Sequence, residues 1–304
     1  MPADPLPPPP QPDAFTEELT VESPEVHRAA LDGVAALGAG IINFLISFAH
    51  FTDFTGSTFR GLLSVRSWGR WDRLGRQLYF VGTASLPVLM VTGLFIGMVL
   101  SIEGYPQFRA VGQEAKLGGI ISVSLVKQIG PVLAATILAG RVGCSLTAEL
   151  GSMRVTEQLD AMRAMAADPV RVLACPRLVA CVVMIPVLVT VSNLCGVGGA
   201  WIVVTKLYGA DSQEYWRFAE MFVSWWEIGN GLAKSLFFGA AIGLIACYKG
   251  FTCEPGAAGV GRATTDSFVT SFLAIVMMNL VLAKLFNDLN MWRLGGELKS
   301  VIGS

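Results

Sequence analysis

The sequence predicts an all-α integral membrane protein: five transmembrane helices, an N-terminal interfacial elbow helix and a short helix held outside the bilayer. Three observations predict it. The 304 residues are 53% hydrophobic and 15% charged, against about 25% charged in soluble domains, and their mean hydropathy is +0.57. Five apolar runs approach or exceed the ~20 residues that a spanning helix needs. A 37-residue charged stretch, Arg141 to Arg177, separates two of the longest runs.

Residues 1–27 differ from everything after them. Met1 to Asp13 holds seven prolines, and Glu17, Glu18, Glu22 and Glu25 follow. Such a stretch cannot bury enough apolar surface to fold by itself, so a disordered extension is expected. It lacks the basic start and apolar core of a signal peptide and is expected to stay in the cytoplasm. Residues 28–76 form the elbow. Gly33–Thr52 is apolar but glycine-rich and broken by Asn43 and His50. The next segment interleaves Arg60, Arg66, Arg70, Arg73 and Arg76 with Trp68 and Trp71. That basic-aromatic mixture suits the headgroup layer of a cytoplasmic leaflet, so the elbow reads as partly inserted rather than spanning.

Residues 77–287 contain the spans, near 78–102, 117–140, 178–205, 228–248 and 267–284. Leu78–Ile102 runs 25 residues without a charge, Leu117–Gly140 runs 24 with Lys127 alone, and Leu178–Thr205 runs 28 with none. Ile228–Tyr248 runs 21 with Lys234 alone. Ser267–Ala283 runs 17 without a charge and extends over Lys284 if that side chain snorkels. Pro87, Pro131 and Pro186 fall inside three spans and predict kinks, which membrane helices tolerate. Residues 288–304 read as a C-terminal tail.

Inside the charged stretch, Val155, Leu159, Met162 and Ala166 recur at the spacing of one helical face, with Arg154, Glu157, Asp160 and Arg163 on the other sides. Asp168-Pro169 then supplies an N-cap and a proline at the first helical position, so a new helix begins there. A short half-apolar helix of this kind either docks a soluble partner or merely orders a loop. Lysine and arginine orient it. With the N-terminus inside, the inner segments 53–77, 141–177 and 249–266 carry 12 of these residues, and the outer segments 103–116, 206–227 and the tail from 284 carry seven. The bias places this helix, and any partner it has, in the cytosol.

Lys127 and Lys234 are the ionisable residues well inside the predicted spans. A mid-bilayer lysine costs about 2.5–3.5 kcal/mol on insertion scales. Each therefore either serves an anionic lipid headgroup in a hydrated cavity or is satisfied by a helix carbonyl or by snorkelling. Gly93 and Gly97, with Gly196, Gly198 and Gly199, permit close helix approach, read as internal packing ahead of a dimer contact. The six cysteines (144, 175, 181, 195, 247 and 253) have neither metal-type nor disulfide-type spacing and read as buried thiols. The segment Tyr208–Glu227, with Asp211, Glu214, Glu220 and three tryptophans, reads as an amphipathic element at the outer interface.

Other chemistry is missing. No phosphate-binding loop occurs: Gly229–Ser235 ends in Lys-Ser but carries alanine before the lysine and lies in a span. No cofactor or metal is expected on this chain, and no enzymatic activity. The spans hold no His/Asp/Glu cluster for a lipid-modifying enzyme or an ion-driven carrier. A formal net charge of −1 points to no nucleic-acid partner.

Five blocks occur in order: GLFIGMVL…GY (Gly93–Tyr105), GPVLAATILAGRVGCSLTAELGSMRVTEQLDAM (Gly130–Met162), DPVRVLACPR (Asp168–Arg177), KSLFFG (Lys234–Gly239) and GVGRATT (Gly259–Thr265). From about residue 60 to residue 287 the chain thereby resembles the MlaE family, the permease subunits of Mce-associated lipid ABC transporters. The resemblance implies a homodimeric permease of the inner membrane with a cytoplasmic N-terminus. It implies a separate cytoplasmic ABC ATPase that uses ATP and Mg, and a periplasmic Mce-domain lipid-binding protein. The cargo it implies is phospholipid, with sterols or other hydrophobic molecules as the alternative.

It also implies that Arg154, Glu157, Gln158, Leu159, Asp160 and Met162 form a coupling helix seated in a groove of the ATPase. Leu100 and Ile129 become apolar walls of a lipid cavity, with Lys127, Gln128 and Lys234 beside them. Family members often place an Arg-Glu pair where this chain has Lys127-Gln128. With that acidic partner absent, no intramembrane salt bridge is expected there, and Lys127 is left for a phosphate. The outer segment Tyr208–Glu227 would support the Mce-domain partner.

Overall fold

A computed structural model describes residue 46, residues 49–62 and residues 71–302, with side chains described through residue 293 except for residues 71–73. The expected N-terminal extension, most of the elbow run Gly33–Thr52, and Arg66, Trp68 and Arg70 lie outside the described residues. The chain divides into two units, Met1–Asp53 and Phe54–Ser304. In the first, residues 49–53 are helical. In the second, the described residues are helical without a strand: α1 (residues 54–62), α2 (Trp71–Gly82), α3 (Leu86–Ala110), α4 (Glu114–Val155), α5 (Gln158–Ala164), α6 (Val170–Leu207), α7 (Ser212–Phe222), α8 (Trp225–Phe251) and α9 (Ala257–Ile302). Five of these stretches are long and apolar enough to cross a membrane: Leu74–Ala110, Glu114–Val155, Val170–Leu207, Trp225–Phe251 and Ala257–Arg293.

The short connections fix the topology. The turn at 111–113 and the segment 208–224, which carries α7, gather at one end, and the segments 156–169 and 252–256 gather at the other. α6 packs on both α3 and α8. Around them Leu89, Ala135, Leu138, Ile185, Leu188, Phe238, Ile242 and Ile275 form one apolar core. α8 is the interior helix, with 61% of its apolar span buried, whereas α9 is peripheral, with 17% buried.

Helix approach is set by missing side chains. A Cβ on Gly93 would stand 2.4 Å from Ser192 O, and one on Gly97 would stand 1.8 Å from Gly196 O. The glycines of α3 and α6 therefore face each other, so this small-residue pattern serves packing inside the subunit.

Several boundaries differ from the sequence reading, each for a local reason. The first span does not run unbroken from Leu78. The chain turns at 83–85, with Ser85 N–H donating to Gly82 O at 3.1 Å, and α3 starts afresh at Leu86. Pro87 lies in that first turn, where a missing N–H costs nothing, so it starts a helix rather than kinking one. Pro131 lies two residues past a π turn, Leu125–Ile129, with Gly130 between them. Pro186 sits inside a continuous α6. Gly231 and Gly239 of α8 lie against the backbone near these two prolines, at Val126 O and Cys181 O. α9 continues through the expected tail as far as Ile302, because apolar and helix-forming residues persist past Lys284.

The predicted amphipathic helix is two helices. α4 runs on to Val155, Glu157 adopts a left-handed conformation with φ 58°, and α5 occupies Gln158–Ala164 before a second left-handed residue, Ala166 with φ 57°. Val155 and Ala166 thus leave the apolar face that Leu159 and Met162 share, and both are exposed. The restart at Asp168 is as predicted: its carboxylate accepts from Val170 N–H at 3.0 Å. Of the outer segment, Ser212–Phe222 forms α7, capped by Asp211, while Trp225, Trp226 and Glu227 belong to the first turn of α8.

Candidate functional site

The π turn of α4 and the first three turns of α8 build a polar seam inside the apolar spans. Pro131 has no N–H, so it cannot supply the i→i−4 bond to Lys127 O. Lys234 fills that gap. Its Nζ donates to Lys127 O at 3.3 Å and to Gln128 Oε1 at 2.5 Å. Lys234 is 1% exposed, so burial and these two acceptors hold it in the subunit interior.

Lys127 points the other way along the seam and retains 34% of its side-chain exposure. Its Nζ lies 3.2 Å from Glu227 Oε2 and donates to Oε1 at 3.4 Å. This overturns the expectation that Lys127 lacks an acidic partner. Position 128 is indeed glutamine, but the carboxylate arrives from the neighbouring helix. Glu227 stands seven residues before Lys234, two turns along the same face of α8, and that spacing was the signal available in the sequence. Asn230 lies between them. The Oδ1 atoms of Asn230 and of Asn193, which abuts Gly130, are buried without a hydrogen-bond partner among the described residues. Leu100 and Ile129 are half-buried and pack on one apolar cluster with Tyr105, Leu117 and Leu125.

At the opposite end, α5 is seated by its apolar side. Leu159 is buried with Leu150, Ala174, Cys247 and Phe251, and Met162 packs against this cluster with Phe54 of α1. Arg154 donates through Nη1 to Phe251 O, tying the end of α4 to the end of α8. Glu157, Gln158 and Asp160 are exposed, and among the described residues Asp160 is paired on its own helix, with Arg163 at 2.7 Å. Of the six predicted coupling residues, Leu159 and Met162 hold α5 on the subunit, Arg154 braces α4 against α8, and the other three are exposed. One contact here escaped sequence reasoning. Arg177, 2% exposed at the start of α6, pairs with Glu149 of α4 at 2.7 Å.

The remaining candidates are simpler. Cys175, Cys181, Cys247 and Cys253 are buried, and all six thiols are free; outside the spans, burial pushes the Cys253 thiol up, which makes it inert. At the end that carries α7, Tyr105 stacks on Tyr208 with ring centroids 3.9 Å apart. These rings border a cavity of about 300 Å³ lined also by Glu114, Asp211, Glu214 and Tyr215.

The sequence pattern of the family described as Permease MlaE matches residues 74–285. The chain is 34% identical over 250 residues to the intermembrane phospholipid transport system permease protein MlaE of Haemophilus influenzae, covering 82% of this chain and 95% of that protein. It is 39% identical to a Rickettsia prowazekii protein named as a probable ABC transporter permease, over 69% of this chain and 82% of that one. A Synechocystis protein of the same description is 38% identical over 75% of this chain and 86% of its own length. Both the polar seam and the α5 turn lie inside residues 74–285.

Proposed function

The chain belongs to the MlaE permease family and is an ABC transporter permease, and on that premise we propose that it moves phospholipid between the inner membrane and a periplasmic Mce-domain assembly. Two copies work with a cytoplasmic ATPase that binds ATP and Mg, because this chain carries no phosphate-binding loop. The segment 156–169 faces the cytosol and the segment 208–224 faces the periplasm, where the Mce-domain protein docks.

The observation that carries this reading is α5. Its apolar side is anchored on the subunit while Glu157, Gln158 and Asp160 stay exposed, unclaimed by other helices among the described residues. A partner seated on that outer face moves α5 and, through Arg154 and the Leu159 cluster, the ends of α4 and α8. The same two helices carry the seam at the π turn, a feature often found where helices must adjust. Lys127 is the accessible cation of that seam and contacts the lipid phosphate. Leu100 and Ile129 border the acyl chains. Lys234 and Gln128 brace the π turn from within, and Lys234 adds positive charge behind it.

The test removes charge without disturbing the turn. Asparagine tolerates a left-handed conformation, so E157N/D160N keeps the backbone of the turn and deletes the acidic face. Wild-type chain purified from its own membranes brings down an ATPase whose turnover drives phospholipid transfer between vesicles. The double variant loses the ATPase or turns over ATP without transfer. Transfer at the wild-type rate in that variant would refute the coupling role.

A further inference from the structure

Glu227 is half of an ion pair whose other half is the accessible cation of the seam. Three features make this pair exchangeable. First, it is loose. One ammonium meets two carboxylate oxygens at 3.2 and 3.4 Å, beyond the ~2.7–2.9 Å of a tight charged hydrogen bond. Second, access is one-sided. Lys127 keeps 34% of its side-chain exposure and Glu227 only 13%, so an incoming anion reaches the cation while the carboxylate stands behind it.

Third, the carboxylate has a second home. Ser224 caps α8, its Oγ accepting from Trp226 N–H at 3.3 Å, and Glu227 follows at the third helical position. That spacing is a capping box, in which the glutamate reaches back to the cap residue's backbone N–H. The positive end of the helix dipole also favours a carboxylate in this first turn. Glu227 can therefore release Lys127 without becoming an unpaired buried charge.

We infer that Glu227 is a specificity-determining residue: a resident anion that occupies Lys127 until a lipid phosphate displaces it, and that sets how much negative charge the seam accepts. The inference rests on the headgroup role proposed for Lys127. With two ammonium groups and one carboxylate, Lys127, Lys234 and Glu227 leave a single positive charge, matched to one phosphodiester. Glu227 also repels any further negative charge on the headgroup. Without it the seam gains a unit of positive charge and loses its competitor.

The experiment uses the full chain purified in detergent, exposed to vesicles of equimolar phosphatidylethanolamine and phosphatidylglycerol. The phospholipid of each class retained per protein is measured after gel filtration. E227Q retains several-fold more phospholipid than wild type, with the excess weighted toward phosphatidylglycerol, and K127M retains less than either. E227A, which preserves helix propensity and the Ser224 cap, takes the place of E227Q should the latter fail to fold. Unchanged amount and unchanged class ratio in a folded Glu227 variant overturn the role given to Glu227 while K127M still reports on the headgroup site. A wild type that retains no more phospholipid than K127M overturns the headgroup role itself, and the inference with it.

Discussion

Arg177 is 2% exposed, and the carboxylate that balances it, Glu149, is itself 44% exposed. Two of the guanidinium nitrogens, Nε and Nη1, are buried without a partner among the described residues. A buried cation with one strong partner makes the single and double variants behave differently. Removing only the carboxylate strands the charge, a loss of about 3–5 kcal/mol for fully buried pairs; solvent reaching Glu149 brings the expected cost to the lower end or below. Replacing both partners with apolar groups is far cheaper. E149L should therefore lower the unfolding midpoint in detergent clearly, while E149L/R177M should recover much of the loss. Additive losses would mean that the two side chains act independently. Legibility at this scale follows the surroundings of each residue. Lys127 and Lys234 stood out because nothing near them in sequence is charged. Glu227 did not, because it sits among the acidic and tryptophan residues of an apparent interface segment. Its partner, 100 positions away, is brought to it by the fold.

Helix by helix, the apolar runs placed all five spans, and the runs' edges misplaced several ends. Hydropathy registers the hydrocarbon core, whereas a helix continues through charged residues at its ends, as α4 does past Arg141 and α9 past Lys284. The segment 155–166 was readable as apolar periodicity, but its division into two helices was not. A left-handed Glu157 stands two residues before the buried Leu159, and nothing in the preference of glutamate signals that conformation. The glycine pairs were readable, and they carry a sharp element-scale prediction. At Gly97 an added methyl would collide with Gly196 O, while at Gly198, on the same stretch of α6, it would meet nothing within 4 Å. G97A should push α3 from α6 and cost about 1–3 kcal/mol or more, the range for overpacked sites. G198A should leave the unfolding midpoint in detergent where it was. Equal effects would mean that α3 and α6 do not meet as described.

At the scale of the molecule, the orientation expected from charge and the role proposed for α5 make one joint prediction. The lysine and arginine bias predicts that the ends bearing residues 156–169 lie on the cytosolic side. The coupling role proposed for α5 requires the same side, because nucleotide is available only there. Two exposed side chains test this at once: Met165, 72% exposed beside α5, and Trp225, 88% exposed at the start of α8. Each is changed singly to cysteine and treated in intact cells with a membrane-impermeant maleimide that reaches the periplasm, and again after the inner membrane is opened. The parent chain gives the background, since four of its cysteines are buried and Cys144 and Cys195 are partly covered. W225C should label in intact cells, and M165C only after opening. The reverse pattern would place α5 in the periplasm, beyond the reach of any ATPase. The transport mechanism would then fail as a whole, even though every helix contact described above would stand.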